Sequence, residues 1–233
     1  MKLQYCYLGK IGYEDAQALQ YRLLTLRQQN IIPDTLLLLE HYPVITLGKQ
    51  AKRANIIASI DNLNRQGIQI HETNRGGDVT YHGPGQIVGY PILDLTNHGK
   101  DIRKFIRNVE DVFIQLLQHE YGICAMRDQQ YTGVWVGTQK ITAIGFAIKR
   151  WVSMHGFAFN VNTNLTHFQW IHPCGIMDKG VTSLQALVGK EVSWSTVNKQ
   201  VVNYFCTTFR QAPQEILPEM LAELLGSSHN ANP

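Results

Sequence analysis

The chain has 233 residues, 44% hydrophobic and 17% charged, and its 21 basic against 18 acidic side chains leave a formal net charge of +3. That length suits one sizeable domain with its own core, and no apolar run approaches the roughly 18 residues of a membrane span. The basic excess is too slight to imply a nucleic-acid partner.

The first ten residues, MKLQYCYLGK, lack the apolar stretch and small-residue cleavage site of a secretory signal, so a reducing, cytoplasmic setting is expected. Residues 13–30 place Ala16, Leu19, Leu23 and Leu26 at helical spacing, with Glu14 and Asp15 in the first turn where the helix dipole favours them. Residues 35–39 and 44–47 read as short strands around the turn His41-Tyr42-Pro43, and Lys49, Lys52 and Arg53 make a basic loop.

Residues 75–86, RGGDVTYHGPGQ, pack four glycines, a proline, two charges, a tyrosine and a histidine into twelve positions. A segment so poor in apolar side chains serves a site or a tight surface turn. Its glycines let the backbone approach a ligand closely, Pro84 stiffens the turn, and Arg75 and Asp78 are placed to clamp each other or a polar substrate. The spacing misses G-x-G-x-x-G by one residue, and no lysine after a glycine precedes Ser or Thr, so neither common phosphate cradle is present.

A strand at 87–93 follows, then a helix in which Ile102, Phe105, Ile106, Val109, Val112, Phe113, Leu116 and Leu117 keep helical spacing and Gly122 takes the C-terminal cap. Its Arg103, Lys104 and Arg107 read as a solvated face, with a docking surface as the alternative. From 131 to 148 the period changes to two around Gly137-Thr138, which predicts a hairpin, and a further strand covers 156–161. Ser195 is placed to cap a last long helix using Val197, Val201, Phe205 and Phe209, before a polar tail expected to be disordered from Gly226. The whole reads as a single α+β domain over residues 1–225, a mixed β-sheet with packed helices and no internal repeat.

Cys6, Cys124, Cys174 and Cys206 lie far apart without a C-x-x-C pair, against both a zinc ribbon and a disulfide scaffold. Cys206 sits beside Phe205 on a helix and reads as core, whereas Cys174 stands between a proline and a glycine in IHPCGIMDKGVTSL, residues 171–184. That is the setting of an ordinary loop cysteine or of a nucleophile on an exposed turn with backbone donors nearby. His172 and His167 suggest a zinc site only weakly, because the zinc deaminase pattern needs a cysteine where Met177 stands, and no metal is expected. Lys140, just past the Gly137-Thr138 turn, is a solvated strand end or, if near Cys174, a charge that favours thiolate over thiol and moves protons.

Together, RGGDVTYHGPGQ at 75–86, GTQKITAIGFAI at 137–148, HGFAFNVN at 155–162 and PCGIMDKGVTSL at 173–184 resemble the octanoyltransferase, or lipoyl(octanoyl) transferase, family of protein lipoylation. The resemblance covers about half the chain in the expected order. It implies the catalytic-domain fold of biotin and lipoate protein ligases, and transfer of an octanoyl group from acyl carrier protein to a lysine of lipoyl domains and of the glycine cleavage H protein. It also implies Cys174 as the thioester-forming residue and Lys140 as its acid/base partner. Substrate contacts fall on Arg75, Gly76, Gly77, Asp78, Val79, Thr80, Tyr81 and His82, on Ala143, Ile144 and Gly145, and on Gly156, Phe157 and Ala158. Of these, Asp78 stands where the family varies.

Exchange between thioesters followed by amide formation needs no nucleotide, so no cofactor is expected, and neither is a nucleic-acid or membrane partner; the chain is expected to be a monomer. The alternative is an ATP-dependent lipoate or biotin ligase of the same fold, which has no need of Cys174. A non-catalytic acyl- or lipoyl-domain-binding module is the third reading.

Overall fold

The computed structural model describes residues 1–172 and 179–227. Among these, β1 (Lys2–Ile11) leads into α1 (Tyr13–Gln28), followed by β2 (Asp34–His41), β3 (Val44–Leu47), α2 (Ile60–Arg65), β4 (Gln69–Glu72), β5 (Val79–His82) and β6 (Gln86–Ile92). After α3 (Ile102–Tyr121) come β7 (Met126–Arg127), β8 (Val134–Val136), β9 (Gln139–Lys149) and β10 (Val152–Asn160). The chain ends with β11 (Gly180–Val181), α4 (Leu184–Val188), α5 (Trp194–Phe209), β12 (Ala212–Glu215) and α6 (Pro218–Ser227).

The strands form two sheets. The larger runs β12-β1-β2-β6-β10-β9-β8-β7, with β11 added in parallel to the start of β9, and the smaller runs β4-β3-β5. Parallel pairs (β1 with β2 and β12) sit beside antiparallel ones (β2 with β6, β6 with β10, β10 with β9), so the sheet is mixed as expected.

One face of the large sheet buries Leu36, Leu38, Ile87, Phe157 and Phe159 against Phe105, Val109, Val112 and Phe113 of α3 and Val197, Val201 and Phe205 of α5. The other face packs Leu37, Leu39, Val88, Tyr90 and Ala158 against Ala16, Leu23 and Leu24 of α1 and Leu221 and Leu225 of α6. Such two-sided cover explains why Leu36, Leu37, Leu38 and Leu39 are all buried and show no alternation. A third cluster joins Ile45, Val79 and Tyr81 of the small sheet to Leu63 of α2 and Phe168.

Helix ends follow local chemistry. Asp101 accepts the Lys104 N–H at the start of α3, and Gly122 closes the helix at φ +66, as its position predicts. The cap of α5 is Ser193 rather than Ser195: its hydroxyl accepts the Thr196 N–H, and Ser195 lies inside the first turn. α5 is also not the last helix, since α6 follows and includes Gly226, where a disordered tail was expected to begin. Leu221 and Leu225, buried against the sheet, account for it.

Candidate active site

The site begins with what the strands lack. Across β9 and β10, Ala143 pairs with Ala158 and Gly145 with Gly156, and Ala158 in turn faces Val88 of β6. Residues directly opposite in an antiparallel ladder share a face, so four small residues leave a bare patch on the sheet. Tyr13 at the start of α1 and the Arg75–His82 stretch close over it. The result is a pocket of about 510 Å³, part of it open to solvent, lined also by Lys140, Tyr90 and His155.

The glycine-rich loop is docked on β9. The Gly76 N–H donates to the Phe146 carbonyl at 2.8 Å, and a Cβ on Gly145 would lie 2.7 Å from the Gly76 carbonyl oxygen. Only glycine permits that approach. Gly77 turns the chain at φ +86, and its carbonyl accepts the Gln50 N–H. Arg75, buried, anchors the loop from beneath: its guanidinium donates to the Thr46 carbonyl (2.7 Å) and hydroxyl (2.9 Å) and to the Asp78 (2.7 Å) and Gly76 (3.0 Å) carbonyls. Arg75 and Asp78 are thus joined through the Asp78 backbone. The Asp78 carboxylate turns away to Asn55 Nδ2 and the Val79 N–H.

β5 splits the expected contacts by its period of two. Thr80 and His82 line the pocket, while Val79 and Tyr81 point into the core of the small sheet, where the Tyr81 hydroxyl meets His167 Nδ1 at 2.6 Å. Among the anticipated contacts, Arg75, Gly77, Thr80, His82, Ala143, Ile144, Gly145, Gly156, Phe157 and Ala158 line this pocket. Gly76 and Asp78 instead line an adjoining cleft with Ile102, Ile106 and Tyr131. The two spaces meet at Gly77, Lys140, Ile144 and Gly145.

Lys140 is buried at that junction, with Nζ 4.8 Å from the centre of the Trp135 ring. Lys179 approaches the same ring at 4.9 Å and pairs with Asp128, whose carboxyl it holds down at about 2. β11 lies parallel to β9 with Val181 opposite Lys140, and the Thr182 N–H donates to the Lys140 carbonyl. On the other side, the His172 N–H donates to the Asn55 carbonyl at 2.7 Å, and Asn55 holds Asp78. Cys174 lies outside the described residues, between these two anchored ends. Among the described cysteines, burial pushes the Cys6 and Cys206 thiols up to about 11, and Cys124 is exposed and does not line the pocket.

The pocket wall, and His41 behind its Tyr90, carry polar groups that are uncharged at neutral pH. Burial lowers His41 to about 4 and, with Arg75 nearby, His155 also to about 4. His82 is pushed well down by burial, by His41 and by Arg75, while burial raises Tyr13 to about 12 and Tyr90 well above its ordinary value. The hydrogen bonds agree. His41 Nδ1 donates to the Ile11 carbonyl, so Nε2 accepts from the Tyr90 hydroxyl at 2.7 Å. Gln86 donates through Nε2 to Tyr81 and Asn160, so its Oε1 accepts from His82 Nδ1. The cations Arg75 and Lys140 therefore dominate the local field, which favours a thiolate or an oxyanion. Tyr13, Val88, Tyr90 and His155 are the wall residues that sequence reasoning missed. Only His155 carried a signal, as the first residue of HGFAFNVN.

This mixed sheet with packed helices has the fold of lipoate- and biotin-protein ligases. Lipoate-protein ligase A bound with ATP superposes with a TM-score of 0.76 at 17% identity, covering 100% of this chain and 96% of that one. Biotin protein ligase from Aquifex aeolicus follows at a TM-score of 0.52 and 11% identity, covering 97% and 74%. The family model for the lipoyl protein ligase A/B catalytic domain matches residues 12–206. Octanoyltransferase of Desulforamulus reducens is 55% identical over 226 residues, 97% of this chain and 99% of that protein, and octanoyltransferase of Caldicellulosiruptor saccharolyticus is 56% identical over 97% and 96%. The chain belongs to the octanoyltransferases of the lipoyl protein ligase A/B family and is an acyltransferase.

Proposed function

We propose that the protein moves an octanoyl group from acyl carrier protein to a specific lysine of lipoyl domains, including the glycine cleavage H protein, through a thioester on Cys174. The observation that carries this is the bare apolar floor of Ala143, Gly145, Gly156 and Ala158 running from the buried Lys140 ammonium. Such a floor suits an unsubstituted chain, which gains about 0.8 kcal/mol per buried CH₂.

In the first step the Cys174 thiolate attacks the carrier thioester carbonyl. The new S–C bond forms as the carrier thiolate leaves, and Lys140 gives that thiolate a proton. In the second step the acceptor lysine, arriving as the free amine, attacks the Cys174 thioester. Lys140 takes the amine proton, Cys174 departs as thiolate, and the starting pair is restored. No nucleotide enters, because thioester exchange is nearly isoenergetic and amide formation runs downhill. Each tetrahedral oxyanion would be met by backbone donors, but not by Gly76, whose N–H is committed to Phe146.

Both anchored ends of the Cys174 segment support this placement, one beside Lys140 and one beside the Asp78 loop. Intact-protein mass spectrometry after mixing with octanoyl carrier protein, without ATP, tests the assignment. Wild type gains one octanoyl group and Cys174→Ala gains none; an adduct on Cys174→Ala would refute the nucleophile. Product formed only with ATP and free octanoate would make the chain a ligase instead.

A further inference from the structure

The floor of the pocket changes character from strand to strand. On β9 and β10 it is bare, with Ala143 opposite Ala158 and Gly145 opposite Gly156, whereas β6 contributes Val88, opposite Ala158, and Tyr90. The register that sets Ala158 against Val88 and Phe157 against Gly89 brings Tyr90 level with Gly156. β6 lies two strand spacings from β9, about 10 Å. Lys140 precedes Ala143 and Gly145 on β9, so Tyr90 occupies the corner of the floor remote from the proposed chemistry.

Aromatic rings close that corner. The Tyr90 hydroxyl bonds His41 Nε2 at 2.7 Å, and the two ring centres stand 5.9 Å apart. Tyr13 leans on His41 at 5.2 Å and stacks on His82 at 6.3 Å, while His41 meets His82 edge-on at 5.8 Å. All four residues are buried. His41, His82 and Tyr90 belong to strands, and both His82 and Tyr90 are tied by side-chain hydrogen bonds. Tyr13 instead opens α1, whose Ala16, Leu23 and Leu24 pack on this face of the sheet. Its ring also stacks at 5.5 Å on His71, whose side chain is 19% exposed. Tyr13 therefore stands between the pocket it lines and a residue at the surface.

We propose that the Tyr13 ring is the specificity-determining stop of the acyl pocket and sets the longest chain that is transferred efficiently. This rests on the acyl-transfer reading above. A chain laid from Lys140 across the bare rows passes over a floor with nothing larger than a methyl group until it reaches β6. There its last carbons meet Val88 and Tyr90 below and Tyr13 from α1. Each methylene that finds no room beyond this point stays in water and forgoes about fourfold in kcat/KM. Removing the Tyr13 ring extends the space toward His71 and restores that gain.

The test is the decanoyl-to-octanoyl ratio of kcat/KM with carrier-bound donors. Both donors are measured in one preparation of each variant, so the ratio does not depend on the fraction folded. Wild type is expected to favour octanoyl. Tyr13→Ala should raise the ratio about fifteenfold, because two methylenes gain entry. Tyr13→Leu should shift it less but in the same direction, and serves alone if the alanine variant does not fold. Tyr13→Phe keeps the ring and should keep the wild-type ratio. Asp34→Ala, which weakens the fold at a buried ion pair outside the pocket, should keep it too. Equal transfer of both lengths by wild type overturns the inference, as does an unchanged ratio in whichever of Tyr13→Ala and Tyr13→Leu folds. A matching rise in Tyr13→Phe or Asp34→Ala also overturns it, since general loosening would then explain the shift. Absence of any octanoyl transfer by wild type sinks the acyl-transfer reading itself; octanoyl transfer with a length limit that Tyr13 does not move sinks only the stop.

Discussion

Ala158→Val tests whether the acyl chain runs over the small-residue floor. Ala158 is 3% exposed, pairs with Ala143 on one side and Val88 on the other, and all three line the pocket. Valine adds two methyl groups at this position, about the volume of two methylenes of substrate. Each displaced methylene forfeits about 0.8 kcal/mol of burial, so octanoyl transfer loses about 1.6 kcal/mol, or about fifteenfold in kcat/KM. Ala158 also packs in the core between the sheet and α1, so the thermal melts separate an overpacking cost of about 1–3 kcal/mol from the loss of acyl burial. Steady-state transfer from hexanoyl, octanoyl and decanoyl carriers, with thermal melts alongside, reads the effect. Hexanoyl transfer stays within about threefold of wild type if its chain stops short of the obstruction, so the preferred length shortens. An equal fall for all three donors, or no fall for octanoyl, would show that the chain does not lie along Ala158.

Lys140→Arg keeps a cation near Trp135 but cannot release a proton at neutral pH; kcat is expected to drop by about 10²–10⁴-fold in single-turnover transfer, and retention of wild-type rate would remove Lys140 from proton transfer. Asp34 is a structural counterpart far from the chemistry: its buried carboxylate accepts from Arg27 (2.9 Å), His98 (2.7 Å), Gln211 (2.8 Å) and the Asp94 N–H (3.0 Å). Asp34→Ala leaves the buried Arg27 with only Asn30 (2.8 Å) and the longer Asp94 pair (3.6 Å) and should cost about 3 kcal/mol in urea unfolding while the folded fraction keeps its turnover. Stability should also fall on mild acidification. His41 and His155 titrate at about 4 when folded and near 6.5 when unfolded. The unfolded chain therefore binds more protons between those values, and each group contributes up to about 1.4 kcal/mol of loss per pH unit as pH drops from about 6.5 to 4. Identical urea midpoints at pH 7.5 and 5 would contradict the burial of neutral imidazoles.

How legible each element was depends on how its side chains are covered. α3 buries one face on the sheet, so its spacing predicted both its span and its Gly122 cap. β1 escaped notice because its exposure does not alternate: Leu3, Tyr5 and Tyr7 pack on one face and Cys6 on the other, with Leu3 and Cys6 buried and Tyr5 and Tyr7 only half covered. The motifs located the pocket, yet motif membership is one-dimensional. Val79 and Tyr81 share a motif with Thr80 and His82 but face the opposite way, a distinction fixed by the strand period once β5 is recognised. Tyr13 and Tyr90 carried no local signal at all, since only the packing of α1 on β6 and β10 brings them together at the pocket.

The division of labour between loop and sheet follows from the same packing. Arg75, a charge that looked like a substrate clamp, donates to carbonyls of the loop that contains it and to Thr46 of β3. Its first effect is to fix the loop carbonyls inward and hold residues 75–78 against β9, while its charge adds to the burial that lowers His82 and His155. A single buried guanidinium thus sets the loop's position and reinforces the wall's neutral state. Replacing Arg75 with Lys would keep the charge but lose the forked geometry that reaches Thr46, Gly76 and Asp78 at once. The loop should then loosen and KM rise, even as the histidines remain neutral.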